Sequence, residues 1–205
     1  MGNQGVIGAG DVQWMTAGSG IIHQEMPQQS PSGTMWGFQF WANLPASQKM
    51  MPPRYRDVRA GEIPEAVLAG GVRVKVIAGT VAGVQGPVRD IVIEPEMLDV
   101  TVPAGQTFTH AVAAGHTVIA YVLVGSGDFG EGGDGGNGPI GPETVVLYEQ
   151  VGDEIRVQAQ TETRFLLLSG RPLNEPVAWR GPIVMNTQEE LRQAFEEYHN
   201  GTFIR

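Results

Sequence analysis

A histidine and a glutamate two positions apart are the first residues in this chain whose types and spacing suit metal chemistry. His23 and Glu25 lie in the segment GIIHQEM, residues 20–26, among isoleucine and methionine side chains. Residues i and i+2 of a β-strand point to the same face, so the imidazole and the carboxylate would project together. Mixed nitrogen and oxygen donors suit Fe(II), Mn, Ni, Cu or Zn. The spacing therefore predicts a metal site, with a His–Glu ion pair or a polar barrel rim as the alternative.

The elements that must position this pair are short segments rich in valine, isoleucine and aromatic residues, separated by glycine and proline. No helical pattern of roughly 10–15 residues intervenes, which is typical of antiparallel sheets closed into barrels or sandwiches. We predict strands at residues 11–16, 20–26, 35–44, 72–78, 90–92, 97–102, 117–124, 144–148, 154–159 and 165–169. They form two predicted domains, residues 1–88 and 89–180, followed by a C-terminal segment, residues 181–205.

The C-terminal segment has the pattern of one amphipathic helix. Its sequence MNTQEELRQAFEEYHNG begins with a capping box, in which Thr187 and Glu190 satisfy free backbone N–H groups at the helix start. Gly201 is the predicted C-terminal stop. Apolar residues recur between them at helical spacing, at Leu191, Ala194, Phe195 and Tyr198. This stripe predicts a helix whose apolar face covers a sheet.

The composition excludes several other classes of function. The 205-residue chain has a formal net charge of −9 and no cysteine. Thiolate zinc sites, iron–sulfur clusters and disulfides are thereby excluded, so a metal would need His, Asp or Glu ligands. The acidic charge argues against direct nucleic-acid binding, which needs clustered Lys and Arg. No apolar run approaches the roughly 20 residues that cross a membrane and no secretion signal is evident, so we expect a cytoplasmic protein without membrane contact.

Several separated motifs carry a resemblance to a known family. The stretches GDVQWMTAGSGIIHQEMP (10–27), FQFWANLP (38–45), KMMPPRY (49–55) and GPIVMNTQEEL (181–191) span nearly the whole chain. Together they resemble the pirin family, whose members are bicupins with two small jelly-roll barrels in one chain. The resemblance implies an all-β fold of two cupin barrels, the first incomplete at its N-terminus, with a C-terminal amphipathic helix.

The resemblance also implies a ligand set. In pirins one metal, usually Fe(II), lies in the N-terminal barrel on three histidines and a glutamate, and His23 and Glu25 match the last two of these ligands. The first two form an H-x-H pair on an upstream strand, whereas no histidine precedes His23 here. The family's four-ligand site is therefore expected to be half missing, and two ligands would hold a metal weakly. Because His must be neutral and Glu ionised, metal affinity should fall at acid pH.

The remaining histidines are expected to play structural roles. His110 lies near the place where a cupin carries its H-x-H pair, but position 112 is valine, so we predict a degenerate, metal-free second barrel and a strand-end histidine. His116 is predicted at a solvated turn. His199 lies near the end of the last helix, where an imidazolium favours the helix dipole.

One polar residue on a predicted strand is a candidate for contact with substrate. Gln39 lies in MWGFQFW, where it would face substrate or make a structural hydrogen bond. Trp14 and Trp41 are predicted core aromatics.

Three functions follow from the resemblance. The first is a quercetin 2,3-dioxygenase-like oxidoreductase that binds a flavonoid-like small molecule, with Glu25 as a metal ligand and a candidate base for the substrate hydroxyl. The second is a non-enzymatic regulatory protein that binds a transcription factor or metabolic enzyme. The third is an inactive remnant, meaning a fragment, a truncated paralogue or the product of a wrongly set start codon. An incomplete barrel exposes unpaired edges, so we expect poor solubility or a homodimer.

Overall fold

The computed structural model describes residues 5–28, 33–130 and 138–204. Regular structure in these ranges is almost entirely β, with one α-helix, α1, at Gln188–His199. The strands are β1 Val12–Thr16, β2 Arg54–Val58, β3 Glu65–Val67, β4 Arg73–Ala78, β5 Thr80–Val81, β6 Val84–Gln85, β7 Glu96–Val102, β8 Thr107–Ala111, β9 Thr117–Val124, β10 Gly127–Phe129, β11 Val145–Leu147, β12 Glu154–Ala159, β13 Thr163–Gly170, β14 Ala178–Arg180 and β15 Ile183–Met185. Short 3-10 helices lie at Ala46–Gln48, Ala60–Glu62 and Ala69–Gly71. The predicted all-β class with a C-terminal helix is confirmed.

The helix α1 has 12 residues. Across the described ranges, no helix combines the length and the apolar character that crossing a bilayer requires.

Internal contacts divide the chain into two units. The first consists of Met1–Trp14 and Arg56–Pro172, and the second of Met15–Tyr55 and Leu173–Arg205. These bounds differ from the predicted divisions at residues 88 and 180, because β3 and β4 pair into the same sheet as β7 and β13. The assignment of residues 1–88 and 89–180 to separate barrels stays a prediction.

Two antiparallel sheets form most of the first unit. One has six strands in the order β11-β9-β13-β7-β4-β3, and the other has three in the order β10-β12-β8. The pattern of β7 shows why such segments become strands. Leu98, Val100 and Val102 are fully buried, whereas Asp99 and Thr101 between them are only half-buried. A period of two gives the strand one apolar face, and burying that face stabilises the sheet.

The two sheets of the first unit share an apolar core. Phe165 of β13 lies edge-on to Phe108 of β8 and Phe129 of β10, with ring centroids 5.8 and 5.2 Å apart. Phe108 and Phe165 are 1% and 0% exposed. Burying one large apolar side chain contributes roughly 1.5–3 kcal/mol, so these rings join the sheets strongly.

A second apolar cluster in the first unit is built on Val58, Ile77 and Val88. Trp14 of β1 packs against this cluster, which confirms its prediction as a core aromatic. β1 pairs with β2 in a two-stranded sheet.

Asp11 fixes the chain just before β1. Its carboxylate accepts hydrogen bonds from the backbone N–H groups of Gly8 and Ala60, at 2.9 and 2.8 Å, and from Arg59 Nη1 at 2.8 Å. These bonds, the backbone ones first, lower the pKa of Asp11 to about 2. The ionised carboxylate therefore ties the residues before β1 to the 3-10 helix at Ala60–Glu62.

The second unit contains the β14–β15 hairpin and α1. The predicted capping box is confirmed, because Thr187 Oγ1 accepts from Glu190 N at 3.2 Å and Glu190 Oε2 accepts from Thr187 N at 2.8 Å. Gly201, with φ of +73°, follows the helix as predicted. Leu191 and Ala194 are buried, and α1 packs against β14 and β15.

Three predicted strands are wrong: residues 20–26, 35–44 and 90–92 have no strand within the described ranges. Asp90 and Glu94 have φ of +59° and +46°, and Glu94 N donates to Ile91 O at 2.9 Å, so this segment turns. Residues 20–26 and 35–44 have strand-like sequences but no partner strand among the described residues. β propensity is realised by packing against neighbouring strands, and it does not form a strand alone.

Candidate metal site

The predicted ligands His23 and Glu25 lie in a segment without regular structure in the second unit. Both side chains are exposed. The side-chain amide of Gln24 contacts Met26 Sδ at 3.2 Å. Contact between residues two apart is the geometry of an extended backbone, in which His23 and Glu25 would share the opposite side. Their role as joint ligands stays a prediction.

A glycine turn positions the start of this segment. Ser19 N donates to Met51 O at 2.8 Å, and Gly20 N donates to Ala17 O at 2.9 Å. Gly18 and Gly20 have φ of +53° and +131°, and a Cβ on Gly18 would lie 2.1 Å from Met51 O. Neither position tolerates a side chain. This turn was not predicted from the sequence, although the GSG triplet at residues 18–20 signals it.

The described residues do not build a closed metal site around His23 and Glu25. No group of three or more His, Cys, Asp or Glu side chains in the described ranges could hold a metal ion. Catalytic metal sites usually have three protein ligands and one open position. An exposed pair has the right donor atoms for Fe(II), but it lacks the number of ligands and the enclosure that a reaction centre needs.

Gln39 lies on a strip of exposed apolar side chains. Its own side chain is exposed, and its contact with substrate stays a prediction. Trp36 and Phe38 meet edge-on at 5.7 Å, and Phe38 stacks on Phe40 at 6.1 Å. Trp41 is 59% exposed, so its prediction as a core aromatic is wrong. We call Met35, Trp36, Phe38, Phe40 and Trp41 the aromatic strip.

A buried lysine anchors the residues that follow the aromatic strip. Lys49 is 6% exposed, and its ammonium donates to Asn43 Oδ1 at 2.8 Å and to Leu44 O at 3.0 Å. Burial lowers the pKa of Lys49, an effect that the charges of Glu175 and Glu190 oppose. The burial of Lys49 was not predicted, because nothing in KMMPPRY distinguishes a buried lysine from an exposed one.

The other histidines make structural contacts. His110 lies near the end of β8 as predicted, and its Nε2 is 2.8 Å from Glu96 Oε2. His199 Nδ1 lies 2.6 Å from Phe195 O in the last turn of α1, in agreement with a capping role. His116 lies at the predicted turn, where its side chain is half-buried and its Nδ1 is shielded from solvent, so the expected solvation holds only in part.

Comparison with known families and proteins identifies the chain's relatives. The Pirin C-terminal cupin domain family matches residues 97–204, and the Pirin family matches residues 1–42. A pirin-like protein of Caulobacter vibrioides is 43% identical over 98% of this chain and 71% of its own length. Pirin-1 of Arabidopsis thaliana is 41% identical over 97% of this chain and 68% of its own.

A solved structure shows the same fold. A quercetin 2,3-dioxygenase of Acinetobacter baumannii superposes with a TM-score of 0.80 at 32% identity, covering 98% of this chain and 69% of that protein. The predicted cupin fold is thereby confirmed. Because the Pirin C-terminal cupin domain family matches residues 97–204 and the Caulobacter vibrioides relative is 43% identical over 98% of the chain, the chain belongs to the pirin family.

Proposed function

We propose that this chain is a metal-binding pirin in which His23 and Glu25 are two ligands of one divalent ion, with Fe(II) preferred. The proposal rests on the similarity over 98% of this chain to the Acinetobacter baumannii protein named quercetin 2,3-dioxygenase. The motif GDVQWMTAGSGIIHQEMP, which holds both residues, supports the choice of ligands. A quercetin-type dioxygenase reaction is the activity that such a site would serve if further ligands completed the coordination of the metal ion.

Because only two exposed side chains, His23 and Glu25, would bind the ion, we expect modest metal affinity and little catalysis. With two protein ligands, water would occupy the other coordination positions, whereas catalytic sites usually have three protein ligands. We therefore expect weak metal binding and no flavonol turnover by the chain alone. Glu25 as the base for a flavonol hydroxyl stays a prediction.

Calorimetric titration with Fe(II) under argon tests the ligand assignment. We expect one weak site, and His23→Ala and Glu25→Gln should each lower the affinity at least tenfold, about 1.4 kcal/mol or more. Gln24→Ala is the matched control, because it lies between the two ligands and removes neither. Equal affinity in all four proteins would overturn the assignment.

Oxygen consumption with quercetin separates the enzymatic function from a non-enzymatic one. The chain loaded with Fe(II) should consume oxygen at the rate of free Fe(II) with quercetin. Iron-dependent consumption above that rate, lost in Glu25→Gln, would show that the chain itself is a dioxygenase.

A second candidate function is protein binding through the aromatic strip, with a second copy of the chain as the partner. Met35, Trp36 and Trp41 are 74, 62 and 59% exposed. Taking about 150–250 Å² for each large side chain, the strip offers on the order of 600 Å². That is close to the roughly 800 Å² per partner of a standard interface, and such exposed patches mark interaction sites.

Sedimentation equilibrium tests this homodimer. The chain should dimerise, and Trp36→Gln with Trp41→Gln should shift it to monomer. Trp179→Gln is the matched control, since Trp179 is 69% exposed and lies outside the strip. A monomeric parent chain, or a dimer that survives the double substitution, would exclude the strip as the interface.

A further inference from the structure

The strand β11 forms one edge of the six-stranded sheet in the first unit. It pairs with β9 on one side, and among the described residues no strand pairs with it on the other. Tyr148 N donates to Val118 O at 3.1 Å across this pair. Hydrogen bonding alternates along an antiparallel pair, so the N–H and C=O groups of Val145 and Leu147 point away from β9. These backbone groups form an open edge.

The alternate side chains of β11 face the core. Val146 and Tyr148 pack against the buried cluster of the first unit. The hydroxyl of Tyr148 is buried and makes no hydrogen bond within the described part of the chain. Successive side chains of a strand point to opposite faces, so Val145 and Leu147 lie on the outer face of the sheet.

The outer face is apolar where it reaches this edge. Val145 and Leu147 are 59% and 68% exposed. Leu147 lies opposite Ile119 of β9, and Ile119 lies opposite Leu168 of β13. Both of these neighbours are half-buried. An apolar row therefore crosses three strands and ends at the open edge.

The edge lacks the usual protection against pairing with another strand. Natural sheets protect open edges with lysine, proline or a bulge. The sequence of β11 is VVL, and its register with β9 has no shift. Such an edge can accept an extended peptide as an added strand, whose backbone supplies affinity and whose alternate side chains supply specificity.

The charges around the edge favour a basic partner. Glu143 and Glu149 flank β11, and both are exposed. Glu149 also lines an open depression of about 490 Å³, together with Leu147 and Thr117 among others. A lysine or arginine side chain suits this depression, because its stem is apolar and its end is cationic.

A second copy of the chain is a poorer partner for the same edge. If two β11 strands paired antiparallel about Val146, Glu143 of one chain would lie opposite Glu149 of the other. Like charges directly opposite each other destabilise a strand pair. The net charge of −9 adds to this repulsion.

We propose that β11 binds an extended peptide in which two apolar residues, separated by one residue, are flanked at the same spacing by basic residues. The peptide adds antiparallel to β11. Its apolar side chains lie beside Leu147 and Val145, and its basic side chains lie near Glu149 and Glu143. This site lies in the first unit and does not depend on metal binding by His23 and Glu25.

NMR titration of the isotope-labelled chain with the synthetic peptide KTVTVTK, acetylated and amidated at its ends, tests the proposal. The amide resonances of Val145 and Leu147 should shift saturably. Glu143→Gln combined with Glu149→Gln should weaken binding about fivefold, because two exposed ion pairs are lost. Glu154→Gln is the matched control, since Glu154 is exposed but lies on β12 of the other sheet.

Methylation of single peptide nitrogens tests strand addition itself. The third and fifth residues of the peptide donate their N–H groups to β11, whereas the N–H of the fourth points away. Methylation at the third or fifth position should therefore weaken binding about tenfold, and methylation at the fourth should have little effect. The peptide ETVTVTE should also bind about tenfold more weakly than KTVTVTK.

Three results would overturn the proposal. The first is the absence of saturable shifts at Val145 and Leu147 with KTVTVTK. The second is equal binding of the peptides methylated at the third and fourth positions. The third is a concentration-dependent shift of Val145 and Leu147 in the free chain, which would assign the edge to a second copy.

Discussion

Two histidine–glutamate pairs in the described chain differ in how they are held. His23 and Glu25 are two residues apart in sequence, exposed, and outside any strand. His110 and Glu96 are 14 residues apart, mostly buried, and in contact at 2.8 Å across two facing sheets. The first pair is brought together by the sequence alone, and the second by the fold.

This difference determines which pair is available to bind a metal ion. Glu96 occupies one ring nitrogen of His110, so that nitrogen is not available to a metal without breaking the contact. His23 and Glu25 make no such contact with each other in the structure, and their exposure leaves both open to an ion. The pair with less structure around it is therefore the better candidate for binding, and the more structured pair contributes to stability.

The largest expected effect compares a buried ring of the first unit with an exposed ring of the second. Phe165→Ala removes a fully buried ring that packs against Phe108, the ring on which His110 stacks, and should lower the free energy of unfolding by about 3–5 kcal/mol. Phe40→Ala, in the aromatic strip, should cost less than about 1 kcal/mol because Phe40 is 40% exposed. Urea unfolding measures both. Similar losses of unfolding free energy in the two variants would mean that the aromatic strip is buried in solution.

The pairs themselves should differ by a smaller amount. Glu96→Ala leaves a mostly buried His110 without its partner, so we expect a loss of about 1.5–3 kcal/mol in unfolding free energy. Glu25→Ala should stay within about 0.5 kcal/mol, as is usual for exposed residues. Equal losses in urea unfolding would contradict the distinction between a structural and a binding pair.

The stability of the second unit, which contains His23 and Glu25, should depend on the capping box of α1. Thr187→Ala removes the hydroxyl that accepts from Glu190 N and should cost about 1 kcal/mol. Thr187→Ser keeps the hydroxyl and serves as the control, with little loss expected. Equal melting temperatures for Thr187→Ala and Thr187→Ser would show that the capping box does not stabilise α1.

The smallest effect is a change in pH dependence in the first unit. The pKa of Asp11 is about 2 in the folded chain, below its ordinary value of 3.8. A lowered carboxyl pKa stabilises the fold above pH 3.8, and this stabilisation is lost as the pH falls from there towards 2. The Asp11→Asn variant should therefore have a lower melting temperature than the parent at neutral pH. Its melting temperature should also fall less on acidification. Parallel melting profiles for the two proteins would contradict this.

Local patterns in the sequence predicted the elements that depend on nearby residues. The capping box at Thr187 and Glu190 and the strands at β7, β9, β12 and β13 were predicted correctly, because capping and alternation are visible within a few residues. Residues 20–26 and 35–44 show the same kind of pattern but form no strand. A strand also needs a neighbour, and no short stretch of sequence shows whether one is present.

The site residues also divide into those that the sequence pattern predicted and those that only the fold brings together. His23 and Glu25 were found because they are neighbours in sequence. The partnership of His110 with Glu96 was missed, because it depends on the register and facing of two sheets. The unpaired Tyr148 hydroxyl and the buried Lys49 were missed for the same reason, since burial of a polar group is a property of the assembled fold.

Paramagnetic Mn(II), added below one equivalent to the isotope-labelled chain, tests most directly which pair binds a metal. If His23 and Glu25 are the ligands, amide resonances of residues 20–28 broaden first, and those around Glu96 and His110 stay sharp. Broadening centred on Glu96 and His110, or none near His23, would contradict the account.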